Sequence, residues 1–277
     1  MPQTTVPTGK MFSEEGAAAA WRAAAANRAE YLAGPTARMF AQAALRPGMR
    51  VLVVGGGTGD EAIEAARAVG AKGEVVLTDL SPGMVDEARR AVVQARFPKV
   101  RCLEMDAQAL AFEDGTFDTV VGRNVLMFIP DLHCGLTEIR RVLKAGGRFA
   151  GTTWASGDRN PRLSIPLAAA KSVGVTVPPD TGLRLALGLS RPDRLAATLR
   201  RAGFSEVRVE RAPARARPTD WDGFLTELKG HIGTRSIARE VPPALQDRFW
   251  VSIDRRYHRY RVSGELPGEQ LVVSGTA

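Results

Sequence analysis

The stretch VLVVGGGTGD over residues 51–60, followed by VVLTDLS with Asp79 inside it, constrains the fold of this chain more than any other. The apolar run 51–54 suits a strand buried on both faces, and 60–69 carry the Ala, Ile and Glu content of a helix. Between them Gly55, Gly56, Gly57 and Gly59 let the backbone turn sharply and approach a ligand with no Cβ in the way. A second strand over 74–78 ends at Asp79, about twenty residues after the turn, where a carboxylate can accept both hydroxyls of a ribose. Strand, turn, helix, strand and acid in that order predict a Rossmann-like α/β sheet with a nucleoside pocket at its strand ends.

What the turn lacks narrows the ligand. A dinucleotide fingerprint needs G-x-G-x-x-G, and counting from Gly55 its last position is Asp60, a carboxylate where a pyrophosphate would meet the helix N-terminus. S-adenosylmethionine has no phosphate and carries a sulfonium and an ammonium, so it tolerates Asp60. Farther along, 100–104 read as strand three, with Asp106 beyond it able to accept from an adenine amino group. Strand four over 117–121 follows the turn Glu113-Asp114-Gly115. Asp131 then caps a helix with Leu136, Ile139 and Leu143 at helical spacing, closed by Lys144-Ala145-Gly146-Gly147, and 148–154 form strand five.

The order VLVVGGGTG, TDLSPGM, MDAQALAFEDGTFDTVV and RVLKAGGRFAGTTW resembles the class I S-adenosylmethionine-dependent methyltransferases, in particular the small-molecule group similar to ubiquinone/menaquinone biosynthesis methyltransferases. The resemblance covers about 45–154, with Ala202-Gly203-Phe204 as a further match. It implies a seven-stranded, mostly parallel sheet with helices on both faces. It also implies cofactor contact at Gly55, Gly56, Gly57 and Gly59, ribose binding by Asp79, adenine packing by Leu80 and Met84, and adenine recognition by Asp106 with the Ala107 amide. Asn124 matches a position that lines the methionine end and the methyl path. Two departures stand out. Val53 replaces an acidic residue common in the family, which leaves Asp60 or a residue of the N-terminal segment as candidates to hold the cofactor ammonium. Met127 and Phe128 stand where many relatives carry a histidine, so that loop offers no general base.

Substrate choice is expected outside this core. Residues 1–44 read as an N-terminal helical flap, helical over 14–33 and broken by Gly34-Pro35, with 1–10 disordered. The core comprises 45–155, 193–212 and a final strand in 266–277, with an insertion at 156–192. Strands six (206–211) and seven (270–274) are normally neighbours, yet about 58 residues separate them. Two helices, 221–235 and 243–261, are placed there as a substrate lid within 213–265.

Composition narrows the class of protein. With 44% hydrophobic and 25% charged residues, no membrane-length apolar run, no secretory-type leader and only Cys102 and Cys134, the chain reads as a cytoplasmic enzyme without disulfides or zinc. The formal charge of +8 allows a nucleic-acid partner, and Arg255-Arg256-Tyr257-His258-Arg259-Tyr260-Arg261 is the best candidate surface. Trp250, Ile253, Tyr257 and Tyr260, however, recur at helical spacing, which favours a buried aromatic stripe with arginines facing water.

Methyl transfer is an in-line displacement, and a protein base is needed only where the acceptor must lose a proton. Tyr31, His231 and His133 are the candidates for that chemistry, while Trp21, Met127, Phe128 and Trp154 are candidates to wall the acceptor. Thr152, Thr153 and Trp154 end strand five without the acidic and amide pair of a metal-dependent catechol enzyme, so no metal is expected. The leading reading is a small-molecule methyltransferase, possible in secondary metabolism and with O, N or C as the acceptor atom. Its alternatives are a nucleic-acid methyltransferase, against which the Arg123-Asn124-Val125-Leu126 segment counts, and a protein that uses the cofactor without catalysis. Oligomeric state is not legible.

Overall fold

Alternation along β1 (Arg50–Val54) sets the layers: Val51 and Val53 join one apolar cluster, Leu52 and Val54 the other, and all four are buried. A strand apolar on both faces has to be central and covered by helices twice. The computed structural model describes Phe12 and residues 16–277, so the expectation for 1–10 and the predicted helix start at Glu14 lie outside the described residues.

The N-terminal flap comprises α1 (Ala17–Ala23) and α2 (Ala25–Ala43). After β1 come α3 (Asp60–Val69), β2 (Glu74–Asp79), α4 (Pro82–Gln94), β3 (Arg101–Glu104), β4 (Phe117–Arg123), α5 (Leu132–Val142) and β5 (Leu143–Trp154). The insertion supplies α6 (Pro161–Ser172) and α7 (Gly182–Ala186), followed by α8 (Pro192–Arg201) and β6 (Ser205–Ala216). The lid is α9 (Trp221–Gly230), α10 (Ile232–Glu240) and α11 (Gln246–Ser263), and β7 (Leu266–Thr276) closes the chain.

Seven strands form one sheet in the order β3-β2-β1-β4-β5-β7-β6, parallel throughout except for β7, which runs antiparallel to both neighbours. Val69 of α3, Val85 and Val92 of α4 and Met39 of α2 cover the Val51 face, while Leu136 and Ile139 of α5 and Leu195 and Leu199 of α8 cover the other. Chain order reverses between β1 and β4. A crevice therefore opens beyond their C-terminal ends.

Four local expectations are corrected. Gly34-Pro35 does not end the flap helix: Pro35 sits buried inside α2, and the break falls at Ala24. Tertiary contact outweighs the proline's local preference, since α2 lies so close to β6 that a Cβ on Gly34 would come 3.0 Å from the Pro213 carbonyl oxygen. The lid has three helices, because His231 adopts an extended conformation (φ −63°, ψ 133°) and caps a new one. The helix expected to run to Gly147 stops at Val142, and Leu143 already pairs with Phe117 in the sheet ahead of a register shift. Strands β6 and β7 overrun their expected spans and stay paired out to Ala216 and Leu266, which carries the lid beyond the sheet. Pro213 is tolerated because β6 is an edge strand.

The lid has its own core. Phe224, Phe249, Ile253 and Tyr257 pack with Leu163, Ala169 and Leu183 of the insertion, with Trp250 and Tyr260 alongside, while Arg255, His258 and Arg259 are exposed. Asn160 ties this body to the sheet. Fully buried, it donates to the Ala155, Ser156 and Glu269 carbonyls and accepts from the Glu269 N–H.

Candidate active site

The crevice at the strand switch is a cavity of about 440 Å³ whose walls come from the β1 turn, the ends of β2 and β4, the flap, the insertion and the lid. Gly55, Gly57 and Gly59 all take positive φ, but for different purposes. A Cβ on Gly57 would stand in the cavity, 3.4 Å from the Trp21 indole nitrogen. At Gly55 and Gly56 it would strike Val125 and Leu77 at 2.2 and 2.5 Å, so these two let the turn lie flat on its neighbours. Gly59 lies away from the cavity: its Cβ would meet Ala88 at 3.2 Å, and its role is the close packing of α3 on α4.

Asp79 is pinned at the rim. Its two oxygens accept the Gly57 and Ser81 N–H groups, each at 2.9 Å, and each oxygen retains a lone pair for a further donor. Burial raises its pKa, against the pull of those backbone donors. Leu80 and Met84 stand beside it on the cavity wall, with Leu80 46% exposed and Met84 buried. Asp106 accepts from the backbone N–H and side-chain amide of Gln108 at 2.8 and 3.1 Å, and it lines the cavity together with Ala107. Asn124, at φ 55°, faces the cavity while its Oδ1 accepts from Gln270 at 2.8 Å and from the Thr152 hydroxyl at 3.3 Å.

At the α3 end of the cavity lies a charge cluster. Asp60 is held by Arg28 at 2.9 Å and Arg22 at 3.1 Å, and Arg123 pairs with Glu61 where both side chains are less than a tenth exposed. Three arginines against two carboxylates leave a surplus of positive charge. Burial pushes the Glu61 carboxyl up and the Arg28 guanidinium down, and Arg28 Nε is buried with no partner among the described residues. Arg28 also lies 4.4 Å from the centroid of the Trp21 ring. Flap and turn are joined by charge.

The opposite end is aromatic. Trp21, Phe128, Tyr31 and Trp154 line it, the last two stacked at 6.1 Å. Tyr31 donates to the Pro267 carbonyl at 3.5 Å, and burial pushes its phenol up to about 12. His231 reaches the same wall from the lid, its pKa pushed down to about 3 by burial and by the positive charges of Arg162 and Arg28. Arg162 donates to Glu227 at 2.7 Å and lies over the Tyr31 ring. His133 and Met127 do not reach the cavity: His133 is exposed on the first turn of α5, and Met127 is buried in the short 3-10 turn that aims Phe128 inward.

Arg28, Arg162 and Glu227 escaped the sequence reading. Arg28 meets the Trp21 ring across the junction between α1 and α2, a contact that no single-helix spacing marks, and nothing in the sequence marks Arg162 or Glu227. Among the described residues no cluster of three or more His, Cys, Asp or Glu could hold a metal, and no helix is long and apolar enough to cross a membrane.

A glycine turn and two strand-end carboxylates at the switch point of this sheet resemble the cofactor end of the class I methyltransferases. Residues 51–147 match the family model described as a methyltransferase domain. Over 106 residues, 38% of this chain, it is 42% identical to the ubiquinone/menaquinone biosynthesis C-methyltransferase UbiE of Teredinibacter turnerae and covers 43% of that protein. It is 36% identical, again over 106 residues and 38% of this chain, to the aklanonic acid methyltransferase DauC of Streptomyces sp. (strain C5), covering 48% of it. The match thus spans less than half the length of these curated relatives. The phosphoethanolamine N-methyltransferase 2 of Haemonchus contortus, solved with S-adenosyl-L-methionine, shares the fold at a TM-score of 0.59 and 18% identity, covering 100% of this chain and 61% of that one. In its core the chain resembles a class I S-adenosylmethionine-dependent methyltransferase of the UbiE type.

Proposed function

We propose that this protein transfers the methyl group of S-adenosylmethionine to an apolar small-molecule acceptor by in-line displacement beneath the flap and lid. The observation that carries the reading is the continuity of one cavity from Gly57, Asp79 and Asp106 to the aromatic wall of Trp21, Tyr31 and Trp154. Its residues fit the cofactor. Asp79 would hold the ribose hydroxyls, Asp106 and the Ala107 amide the adenine, and Leu80 and Met84 its faces. Arg28, with an Nε unpartnered among the described residues, and Arg22 would take the carboxylate of the methionine end, while Asp60, Glu61 and Asn124 would face its ammonium.

The cofactor supplies an electrophilic methyl on a sulfonium, which leaves the protein the work of alignment and water exclusion. His231 fits donation better than proton removal, because its imidazole stays neutral with Nδ1 already in use, and Tyr31 offers no base, because its phenol stays protonated and already donates to the Pro267 carbonyl. A concave aromatic wall of this kind favours a small molecule over a nucleic-acid strand. Calorimetry with S-adenosylmethionine and its demethylated product, with NAD as control, tests the cofactor site; binding of NAD, or of none of the three, would overturn the reading.

A further inference from the structure

Resting on that methyltransferase reading, the polar groups at the acceptor end define the charge state of the substrate. His231 uses Nδ1 as an acceptor: the Gly233 N–H donates to it at 3.2 Å and so caps α10. A neutral imidazole that accepts at Nδ1 carries its proton on Nε2. The Nε2–H has no hydrogen-bond partner among the described residues, and the ring lines the cavity. Arg162 stands on the same wall, 13% exposed at its side chain. The groups that face His231 with charge, Arg162 and Arg28, are both positive, and burial works with them to keep the ring neutral. Glu227, the carboxylate of this wall, already accepts from Arg162 and from Asn27, each at 2.7 Å. Tyr31 is committed as a donor to Pro267. The wall presents donor groups on His231 and Arg162, while Glu227 offsets the Arg162 charge and spends both its oxygens on Arg162 and Asn27.

We propose that His231, fixed as an Nε2–H donor, and Arg162 together receive an oxygen anion of the acceptor, so that the substrate is an apolar, ring-sized phenolate or enolate. Its proton goes to water before transfer. The bond between sulfur and methyl then breaks with its electron pair left on sulfur, and the anion's electron pair forms the new bond at oxygen or at the conjugated carbon. Attack at a ring or enol carbon that bears hydrogen releases that proton to water as the conjugated system re-forms. Sulfonium and anion are both neutralised, and no protein base is consumed.

Two measurements test this on the full chain. Nitrogen NMR of the histidines reads the tautomer directly and needs no cofactor: His231 should be the Nε2–H form and should not titrate near neutral pH. An Nδ1–H tautomer, or protonation between pH 6 and 7, would overturn the proposal without touching the cofactor assignment. Spectrophotometric titration of para-nitrophenol with the protein saturated by S-adenosylhomocysteine reads the second half. Binding should favour phenolate over phenol by about tenfold or more relative to water. His231→Asn, which keeps a capping side chain for α10 but cannot reach as Nε2 does, should abolish most of that preference, and His231→Gln should retain part of it. A probe bound as the neutral phenol, bound equally in both forms, or not bound at all counts against the proposal. Failure of S-adenosylhomocysteine itself to bind would instead strike the methyltransferase reading.

Discussion

The two ends of the cavity are built by different means. At the cofactor end, turn geometry and carboxylates come from residues close together in sequence, Gly55 to Glu61 with Asp79 and Asp106, and charge pairs lock the flap onto them. At the proposed acceptor end, Trp21, Tyr31, Trp154, Arg162 and His231 arrive from the flap, β5, the insertion and the lid, with Trp154 packed against the apolar core of insertion and lid. A local motif can serve one cofactor in many proteins. A wall assembled from afar can change its acceptor without disturbing that motif.

The severest test of the contrast is the buried pair. Glu61→Leu strands Arg123 in a site where both side chains are nearly inaccessible, and it should lower the unfolding free energy by about 3–5 kcal/mol. Adding Arg123→Met should return most of that loss, because two apolar side chains incur no desolvation penalty. Chemical denaturation of both variants decides it. A single substitution costing under about 1 kcal/mol would show that charge does not hold this end together.

Next in size is Asp79→Ala, which removes the acceptor for the Gly57 and Ser81 N–H groups as well as for the ribose. Cofactor binding should weaken by about 3 kcal/mol, more than a hundredfold, by calorimetry. An unchanged affinity would sink the assignment of the cofactor end.

The third prediction concerns pH. The His231 imidazole has a folded pKa of about 3, below the ordinary value of 6.5, so between these limits the unfolded chain binds the extra proton. The stability it contributes is complete above pH 6.5 and is lost as pH falls toward 3. Measured against His231→Asn, the wild-type advantage should shrink over that window by up to about 1.4 kcal/mol per pH unit. Parallel stability curves would mean that the ring titrates as it does in water, and that the lid does not shield it.

Legibility in the sequence follows the same divide. The helix over 60–69, Asp79 at the end of β2 and the Asp131 cap were readable because each rests on a periodicity or a backbone requirement within a few residues. Gly59 matches a ligand motif by position alone, whereas its neighbour is Ala88 on another helix. Met127 and Phe128 are adjacent in sequence, yet only Phe128 faces the cavity, a choice made by the turn that carries them. Arg162 gains its meaning from Glu227, 65 residues away, and from the Tyr31 ring. No local pattern encodes such a meeting. The aromatic stripe of α11 was legible because helical spacing alone separates Ile253 and Tyr257 from the exposed Arg255 and Arg259.

The smallest expected effect sharpens the comparison from the lid side. Tyr257 is almost wholly buried, and its hydroxyl donates to the Pro161 carbonyl at 3.3 Å, linking α11 to the first residue of α6. Burial raises its pKa, so it is a neutral phenol throughout the working range. Tyr257→Phe keeps the ring and its edge contact with Phe224 but leaves the Pro161 carbonyl without that donor, a loss of about 1 kcal/mol in stability. Arg162 follows Pro161 directly, so a small shift at the head of α6 moves the guanidinium proposed to receive the acceptor. The variant should therefore raise KM for the acceptor about two- to fivefold, within the coupling expected through one packed contact, and leave cofactor affinity untouched. A change in cofactor affinity instead would show that the two ends are mechanically one, and that the division between a local site and an assembled wall does not hold.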